Sequence, residues 1–532
     1  MEADVLSSQR PPEVDDPPRR LPRPRALVTA AAVSAAVIAC FVLCLAQSFT
    51  SSVNSDTAGI ALQGWDLWHG NPLLHGWYAS DAPFYTLETP LNALVQMVMG
   101  LNATTLHVVS AITYTMVIVA AAWLAASGAR GAAAYARAGL AAALLAVPLC
   151  AGDLAGLLLE TPNHIGTSVF LLLAFLIYSR VPGRRAAFGL LALLVVGQIG
   201  DATVRYVAVT TLVAVTLVRM LAARRLVIPE TWAGVAAAAS VPCAIGVRAV
   251  MRSLGAFSMI HPATQIAPAG QWLNHLGATG ESLIRLFNID VSDPIHVTPG
   301  WLAGQILGGA ALLAGAYGLC RTAWRWRRGD AADQLLAVSV LIYPATYAFS
   351  TMVRPGSHGA YEFVGVLPLI AVLAARNLPM PSRGGHRALA WTSIATAVAL
   401  LLSGVFKPAD VTRSEHLAAW LKAHGFRYGI SGYWDATSTT ADSGNAVGVR
   451  AVINIGGQYA IYPWVTNGSW YDPARYDANF VIADNGSPGI TVADVEKIYG
   501  VPAAQYPVVN RMILVYHVNL FKTLNVPPHP DY

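Results

Sequence analysis

From Ala26 to Ser48 the chain runs without a single Asp, Glu, Lys or Arg, and apolar runs of this kind recur as far as residue 405. Hydrocarbon offers no partner to a backbone amide, so a run of about 20 apolar residues can cross it only as a helix that satisfies its own hydrogen bonds. Further runs lie near 104–126, 133–151, 164–179, 186–200, 203–220, 230–251, 299–320, 333–353, 360–375 and 388–405, which makes eleven expected transmembrane helices. Those at 164–179, 186–200 and 360–375 are short, which predicts helices that stop below the membrane surface around a cavity. Only 12% of residues are charged, against roughly 25% in soluble globular proteins. The expected fold class is an all-α polytopic membrane protein.

Arginine sets the orientation. Residues 1–25 are rich in Pro and Arg and too poor in apolar residues to pack, which predicts a disordered cytoplasmic tail before an uncleaved anchor. Short turns on one side then hold Arg130 and Arg137, Arg180, Arg184 and Arg185, Arg224 and Arg225, Arg321 to Arg328, and Arg376, Arg383 and Arg387. The other side has Arg205, Arg248, Arg252, Arg285 and Arg354, and its first loop, 49–103, has no Lys or Arg but carries Asp56, Asp66, Asp81 and Glu88. The positive-inside rule therefore predicts a multi-pass protein of the cytoplasmic membrane. Its N-terminus is cytoplasmic, with loops 49–103 and 252–298 outside. The net charge of +5 reports topology, and no nucleic-acid partner is expected. Cys40, Cys44, Cys150 and Cys243 fall inside apolar runs and Cys320 ends one, so no disulfide or cysteine metal site is expected.

After the transmembrane region 26–405, composition changes. Residues 406–532 hold all four lysines of the chain and balance nine Lys and Arg against ten Asp and Glu, which predicts a water-exposed, extracytoplasmic domain. HLAAWLKAHG (416–425) has helical spacing with Gly425 as a stop. FRYGISGYW, ANFVIAD (478–484) and NRMILVYHV (510–518) read as strands and TVADVEKIYG as a helix, so this domain is expected to be α/β. Its many aromatics, Tyr433, Trp434, Tyr462 and Trp464 among them, suit core packing and a face on the membrane interface, or stacking on carbohydrate.

The first loop is the most informative stretch. Asp56 follows the first span by about eight residues, which places its carboxylate at the membrane surface. Thr57 to His69 reads as an amphipathic helix ended by Gly70 and Pro72, and Pro90 to Leu101 as a second helix lying flat on the interface. An acid just after the first span, a flat helix closing in GWDLWHGNP and a second flat helix resemble the polytopic glycosyltransferases of the GT-C fold. These include the protein O-mannosyltransferases, the aminoarabinose transferases and the actinobacterial arabinosyltransferases. An Arg-over-Lys bias and Ala-rich spans suit such a high-GC source. The resemblance implies a polyprenyl-phosphate sugar as donor. It also implies an acid in this loop that acts as general base on the acceptor hydroxyl or helps organise a metal. Asp56 is the matching position, although many members carry two adjacent acids where this chain has Ser55-Asp56-Thr57. Asp is also a favoured helix N-cap, so capping is the alternative role.

A lipid phosphate leaves already charged, so it needs a nearby cation more than a second acid. Arg205, four residues after Asp201, comes first, then Arg354 with His358, then Arg248 and Arg252. Arg205 and Asp201 could instead pair with each other one helical turn apart. Asp81, Glu88, Glu160 and His164 are candidate acceptor-binding residues, and Glu160 with His164 could bind a divalent metal. Asp153 and Glu362 are further acids to weigh. The three histidines His261, His275 and His296 show no ligand-like spacing, and no phosphate-loop or dinucleotide motif appears in a supporting context. The expected function is transfer of a sugar to an extracytoplasmic glycan, lipid or protein, in or near the cell wall. The alternatives are a membrane transporter or flippase, and a cell-wall-binding scaffold.

Overall fold

The computed structural model describes residues 24–150, 154–159, 164–180, 183–260, 265–289, 299–354, 358–382, 385–410, 412–484 and 489–525. Nearly all of the expected tail, Asp153, Glu160, His261 and His296 lie outside them. The chain forms two compact units, residues 1–39 and 40–532. The described part of the first is the start of the helix Pro24–Ser48.

Each run read as a span contains a helix among the described residues, although the helices in the runs 164–179 and 333–353 are Thr167–Arg180 and Ala331–Ala348, and the run 360–375 breaks at 364–365. Seven helical segments are long and apolar enough to cross a membrane: Leu27–Ser48, Ala103–Ala126, Ala132–Leu149, Val204–Ala223, Thr231–Ser253, Trp301–Trp324 and Gly385–Phe406. Thr167–Arg180 and Val366–Asn377 are apolar but shorter, and Arg184–Gly200 and Ala331–Ala348 complete the set. The chain is a multi-pass membrane protein. Val366–Asn377 shows why its run is short: all of its residues are buried, the mark of a helix surrounded by other helices. Arg376 at its end is buried as well. Its guanidinium pairs with Asp330 at 2.8 Å and Asp333 at 2.6 Å, and donates to the carbonyls of Leu124 and Ser127. An arginine that reads as a topology signal thus also ties three helix ends together.

The first loop forms two helices, Ser55–Trp68 and Glu88–Met99. Gly70 stops the first at φ +101°, a left-handed conformation that glycine adopts without strain. The second is inside out. Glu88, Asn92 and Gln96, one turn apart, are buried; Asn92 packs close to Gly64 of the first helix, and Gln96 donates to the Ala61 carbonyl there at 2.8 Å. Leu94, Met97 and Val98 are exposed. An apolar face turned outward suits a helix resting on lipid.

Residues beyond 412 build an α/β domain. Its six strands lie in the order Gln458–Ile461, Gly448–Ile455, Tyr428–Ser431, Phe480–Ala483, Arg511–Val515, Ala504–Val508. The three central parallel strands are covered by apolar residues such as Ile430, Phe480 and Val481, and the edges are antiparallel. The helices Arg413–Ala423 and Val492–Tyr499 both start with a capping box, Thr412 with Glu415 and Thr491 with Asp494. FRYGISGYW is a strand only as far as Ser431, because Gly432 N-caps a helix, Tyr433–Asp442.

This domain is stitched to the first loop. Trp77–Ala79 pairs with Thr466–Asn467 on one side and Ser258–Met259 on the other. Trp77 Nε1 donates to Asp66 at 2.8 Å, and Asn467 Nδ2 donates to the His75 carbonyl at 3.2 Å.

Candidate active site

Three tight approaches bring the ends of separate helices together. The Phe84 amide donates to the Gly200 carbonyl at 2.9 Å. A side chain at Gly200 would collide with Thr86, and one at Gly166 with the Glu88 carboxyl, so only glycine admits these segments to one another. The result gathers Asp81 and Glu88 from the first loop, His164 and Thr167 from a helix start, Asp201 and Thr203 from a helix junction, and Glu362 from the short helix His358–Phe363.

His164 is the hub. Its Nδ1 lies 2.6 Å from Asp201 Oδ2 and 3.3 Å from Thr203 Oγ1, and its Nε2 lies 3.8 Å from Glu362. Burial alone would lower the His164 pKa, but the charge and hydrogen bond of Asp201, then Glu362 and Asp81, outweigh it and raise it to about 10. Burial would likewise raise Asp201; the charge and hydrogen bond of His164, with Thr167 and the Thr203 amide, bring it down to about 2. The pair is therefore imidazolium and carboxylate at neutral pH. The alternative pairing of Asp201 with Arg205 is not formed, since Asp201 spends its oxygens on His164, Thr167 and Thr203.

Glu88 is not on a solvated loop. It opens its helix buried, and among the described residues its Oε1 has no hydrogen-bond partner. Burial, assisted by Asp201, lifts its pKa to about 8 against the opposing pull of its own amide and His164, so it is a neutral acid at pH 7. Asp81 is partly exposed, accepts from the Ala82 amide at 3.0 Å, and is raised by burial while His164 lowers it. Burial likewise raises Glu362, which His164 and Arg354 oppose.

Asp56 stands beside this cluster, within electrostatic reach of Asp81. It does not cap its helix. Asn54 does, its side chain accepting from the Thr57 amide at 2.9 Å. Asp56 Oδ1 instead accepts from the Tyr433 hydroxyl and, at 3.5 Å, from Trp464 Nε1, both from the C-terminal domain. Burial raises its pKa, with the two donors opposing and Asp81 adding to the rise.

The expected phosphate-binding residues fall in two places. Arg205 lies in a π-helical turn, Val204–Val209, stacked over the Tyr206 ring at 5.1 Å. Such turns are frequent at functional sites. Arg205 and Arg252 both lie within electrostatic reach of Arg248. Among the described residues none of the three forms an ion pair. Arg354 is exposed, its amide donating to the Tyr347 hydroxyl at 2.9 Å, and its charge reaches Glu362. His358 starts the short helix; its side chain lies outside the described set.

Glu160 also lies outside it, so its expected partnership with His164 is not described. Among the described residues no group of three or more His, Cys, Asp or Glu could hold a metal ion. Sequence reasoning missed Tyr433, Trp464, Thr167 and Thr203 as site residues. Only the crowding of aromatics in the C-terminal domain hinted at the first two.

Fold and site together define a multi-pass helical membrane protein in which helix ends gather one histidine and several carboxylates next to a docked α/β domain. The chain is similar to ArnT from Cupriavidus metallidurans, at 14% identity and a TM-score of 0.45 in the apo state, over 94% of this chain and 99% of that one. For ArnT bound to undecaprenyl phosphate the values are 13% and 0.43, with the same coverage. The Archaeoglobus fulgidus oligosaccharyltransferase in the apo form is similar at 11% identity and a TM-score of 0.42, over 85% of this chain and 69% of that one. Likeness at this level transfers neither activity nor ligand. No family model and no curated protein sequence matches the chain.

Proposed function

We propose that this chain is a GT-C-type integral membrane glycosyltransferase that moves a sugar from a polyprenyl-phosphate donor to a hydroxyl of an extracytoplasmic glycan, lipid or protein. Asp56 is the general base. The acceptor oxygen attacks the anomeric carbon and its proton passes to Asp56. The bond to the lipid phosphate breaks, and the phosphate leaves with the electron pair. Attack opposite the leaving group inverts the anomeric centre.

The observation that carries this reading is the state of the Asp56 carboxylate. It is anchored through Oδ1 only, with no hydrogen bond to Oδ2 among the described residues, and burial raises its basicity. A base with a raised pKa takes a hydroxyl proton more readily. Arg205 and Arg354 are the cations proposed to hold the donor phosphate, with His358 in support. Asp81 and the imidazolium of His164 are proposed to orient the acceptor, together with Glu160. Glu88, being neutral, would do so only as a hydrogen-bond donor. Transporters favour sites at the membrane midplane, whereas the ionisable groups here gather at helix ends, which favours the transferase over a transporter.

Asp56→Asn tests the proposal. Base catalysis contributes about a hundredfold to ten-thousandfold, so transfer from a polyprenyl-phosphate sugar should fall by that order while the protein stays monodisperse. An Asn variant that transfers at the wild-type rate would remove Asp56 from the mechanism.

A further inference from the structure

We propose that the C-terminal domain completes the active site, with Tyr433 and Trp464 acting as positioning residues that hold one oxygen of Asp56 and leave the other to the acceptor hydroxyl. The inference rests on the reading of Asp56 as base.

Two separate segments deliver these donors, and each is anchored by its own contacts. Tyr433 is the first residue of the helix that Gly432 caps. That helix is pinned to its own sheet by Arg511, whose Nε donates to Asp435 at 2.6 Å while Nη1 reaches Asp484 at 2.9 Å. It is pinned to the first loop by Ser55, the residue before Asp56. Ser55 Oγ donates to the Trp434 carbonyl at 2.8 Å, and Thr437 Oγ1 donates to the Ser55 carbonyl at 3.1 Å. The hydroxyl of Tyr433 therefore meets Asp56 across an interface locked on both sides of the contact.

Trp464 arrives from the other direction. The next residue, Val465, takes a positive φ of 44°, a costly conformation for a β-branched residue. It packs so closely on Gly59 that a Cβ there would come within 2.5 Å of Val465 Cγ1. Gly59 follows Asp56 by about one helical turn. Beyond Val465, Thr466 and Asn467 pair with Tyr78 and Trp77. Strain, a glycine seat and a strand pairing all serve to bring this loop, and with it the indole N–H, to the same carboxylate oxygen. The Tyr433 ring also rests on Tyr462 at 5.4 Å and on Trp434 at 5.3 Å, which limits its rotation.

A carboxylate free to rotate offers either oxygen to a hydroxyl or to water. With Oδ1 committed to two donors, Oδ2 remains as the oxygen held in a fixed orientation for the acceptor hydroxyl, and orientation of this kind lowers the barrier to proton transfer. The groups that face Asp56 are Tyr433, Trp464 and Tyr462 from the C-terminal domain and Asp81 from its own loop.

The experiment is an infrared titration of the Asp56 carboxyl on the full chain in detergent, taken as the difference from Asp56→Asn. In Tyr433→Phe the ring stays and the donated hydrogen bond goes, so the midpoint should rise by about one pH unit. Trp464→Phe should raise it by less. In a transfer assay the alkaline shift should reappear as a displaced pH–rate profile, which a merely structural residue would not move. An unchanged midpoint in a folded Tyr433→Phe overturns the inference; should that variant not fold, an unchanged midpoint in Trp464→Phe does so. If Asp56→Asn is inactive while both midpoints stay put, only the positioning role falls. If Asp56→Asn is fully active, the base assignment falls and this inference with it.

Discussion

His164 and Asp201 form a buried imidazolium–carboxylate pair, Nδ1 to Oδ2 at 2.6 Å, that closes a gap of 37 residues in sequence and joins the start of one helix to the end of the next. Asp201 also accepts from Thr167 and the Thr203 amide, so the pair organises both segments.

Removing one member leaves a buried charge alone, which typically costs about 3 to 5 kcal/mol. His164→Gln should lower the unfolding temperature of the solubilised protein accordingly, and Asp201→Asn in that background should restore part of the loss. The pH dependence follows from the two directions. His164 is raised from 6.5 to about 10, so its contribution is complete below 6.5 and lost as pH climbs through 10. Asp201 is lowered from 3.8 to about 2, so its contribution is complete above 3.8 and lost as pH falls through 2. The variant should therefore soften less than wild type between pH 6.5 and 10. Equal stability and equal slopes would show that the pair contributes nothing.

Glu88 runs the opposite way to an ordinary carboxylate. Its pKa rises from 4.5 to about 8 on folding, so the folded state holds the proton more tightly. Its contribution to stability is greatest below 4.5 and falls by about 1.4 kcal/mol per pH unit until pH passes 8. Glu88→Gln keeps the shape without the charge. Thermal unfolding from pH 5 to 8 should then be flatter than wild type, with the variant the more stable at pH 8. A variant that loses stability at every pH would indicate an ionised Glu88.

Three arginines gathered without an acid partner among the described residues repel one another unless an anion joins them. Arg205→Ala should weaken binding of undecaprenyl phosphate, measured by native mass spectrometry, by about tenfold or more. Arg205→Lys should recover only part, because an ammonium lacks the planar fork. If Arg354→Ala weakens binding and Arg205→Ala does not, the phosphate lies on the Glu362 side.

Orientation is open to a direct test. Ala446 is exposed on the C-terminal domain and Arg225 is exposed in a turn between spans. Ala446→Cys should react with a membrane-impermeant thiol reagent on intact cells, and Arg225→Cys only after permeabilisation. The reverse pattern would invert the topology and move the candidate site to the cytoplasmic face.

Much of the helical architecture is legible along the chain because its causes are local. Apolar length makes helices in hydrocarbon, Gly70 ends one and Gly425 another, and the capping boxes at Thr412 and Thr491 start two more. Asp56 itself can be picked out from its distance to the first span. Its surroundings cannot. Asn54 takes the capping role two residues away, and the choice depends on backbone geometry that residue type alone leaves open.

What the amino-acid sequence determined by itself is the set of helices, the strand-rich C-terminal domain and the short list of acids worth testing. Only the tertiary structure decided which groups meet: His164 with Asp201 in place of Arg205, Glu88 sealed from solvent, and Tyr433 on Asp56 from 377 residues away. The reason is physical. Helix and strand formation follow from interactions a few residues long, whereas ion pairing and desolvation depend on distance in space, which packing sets and residue spacing does not encode.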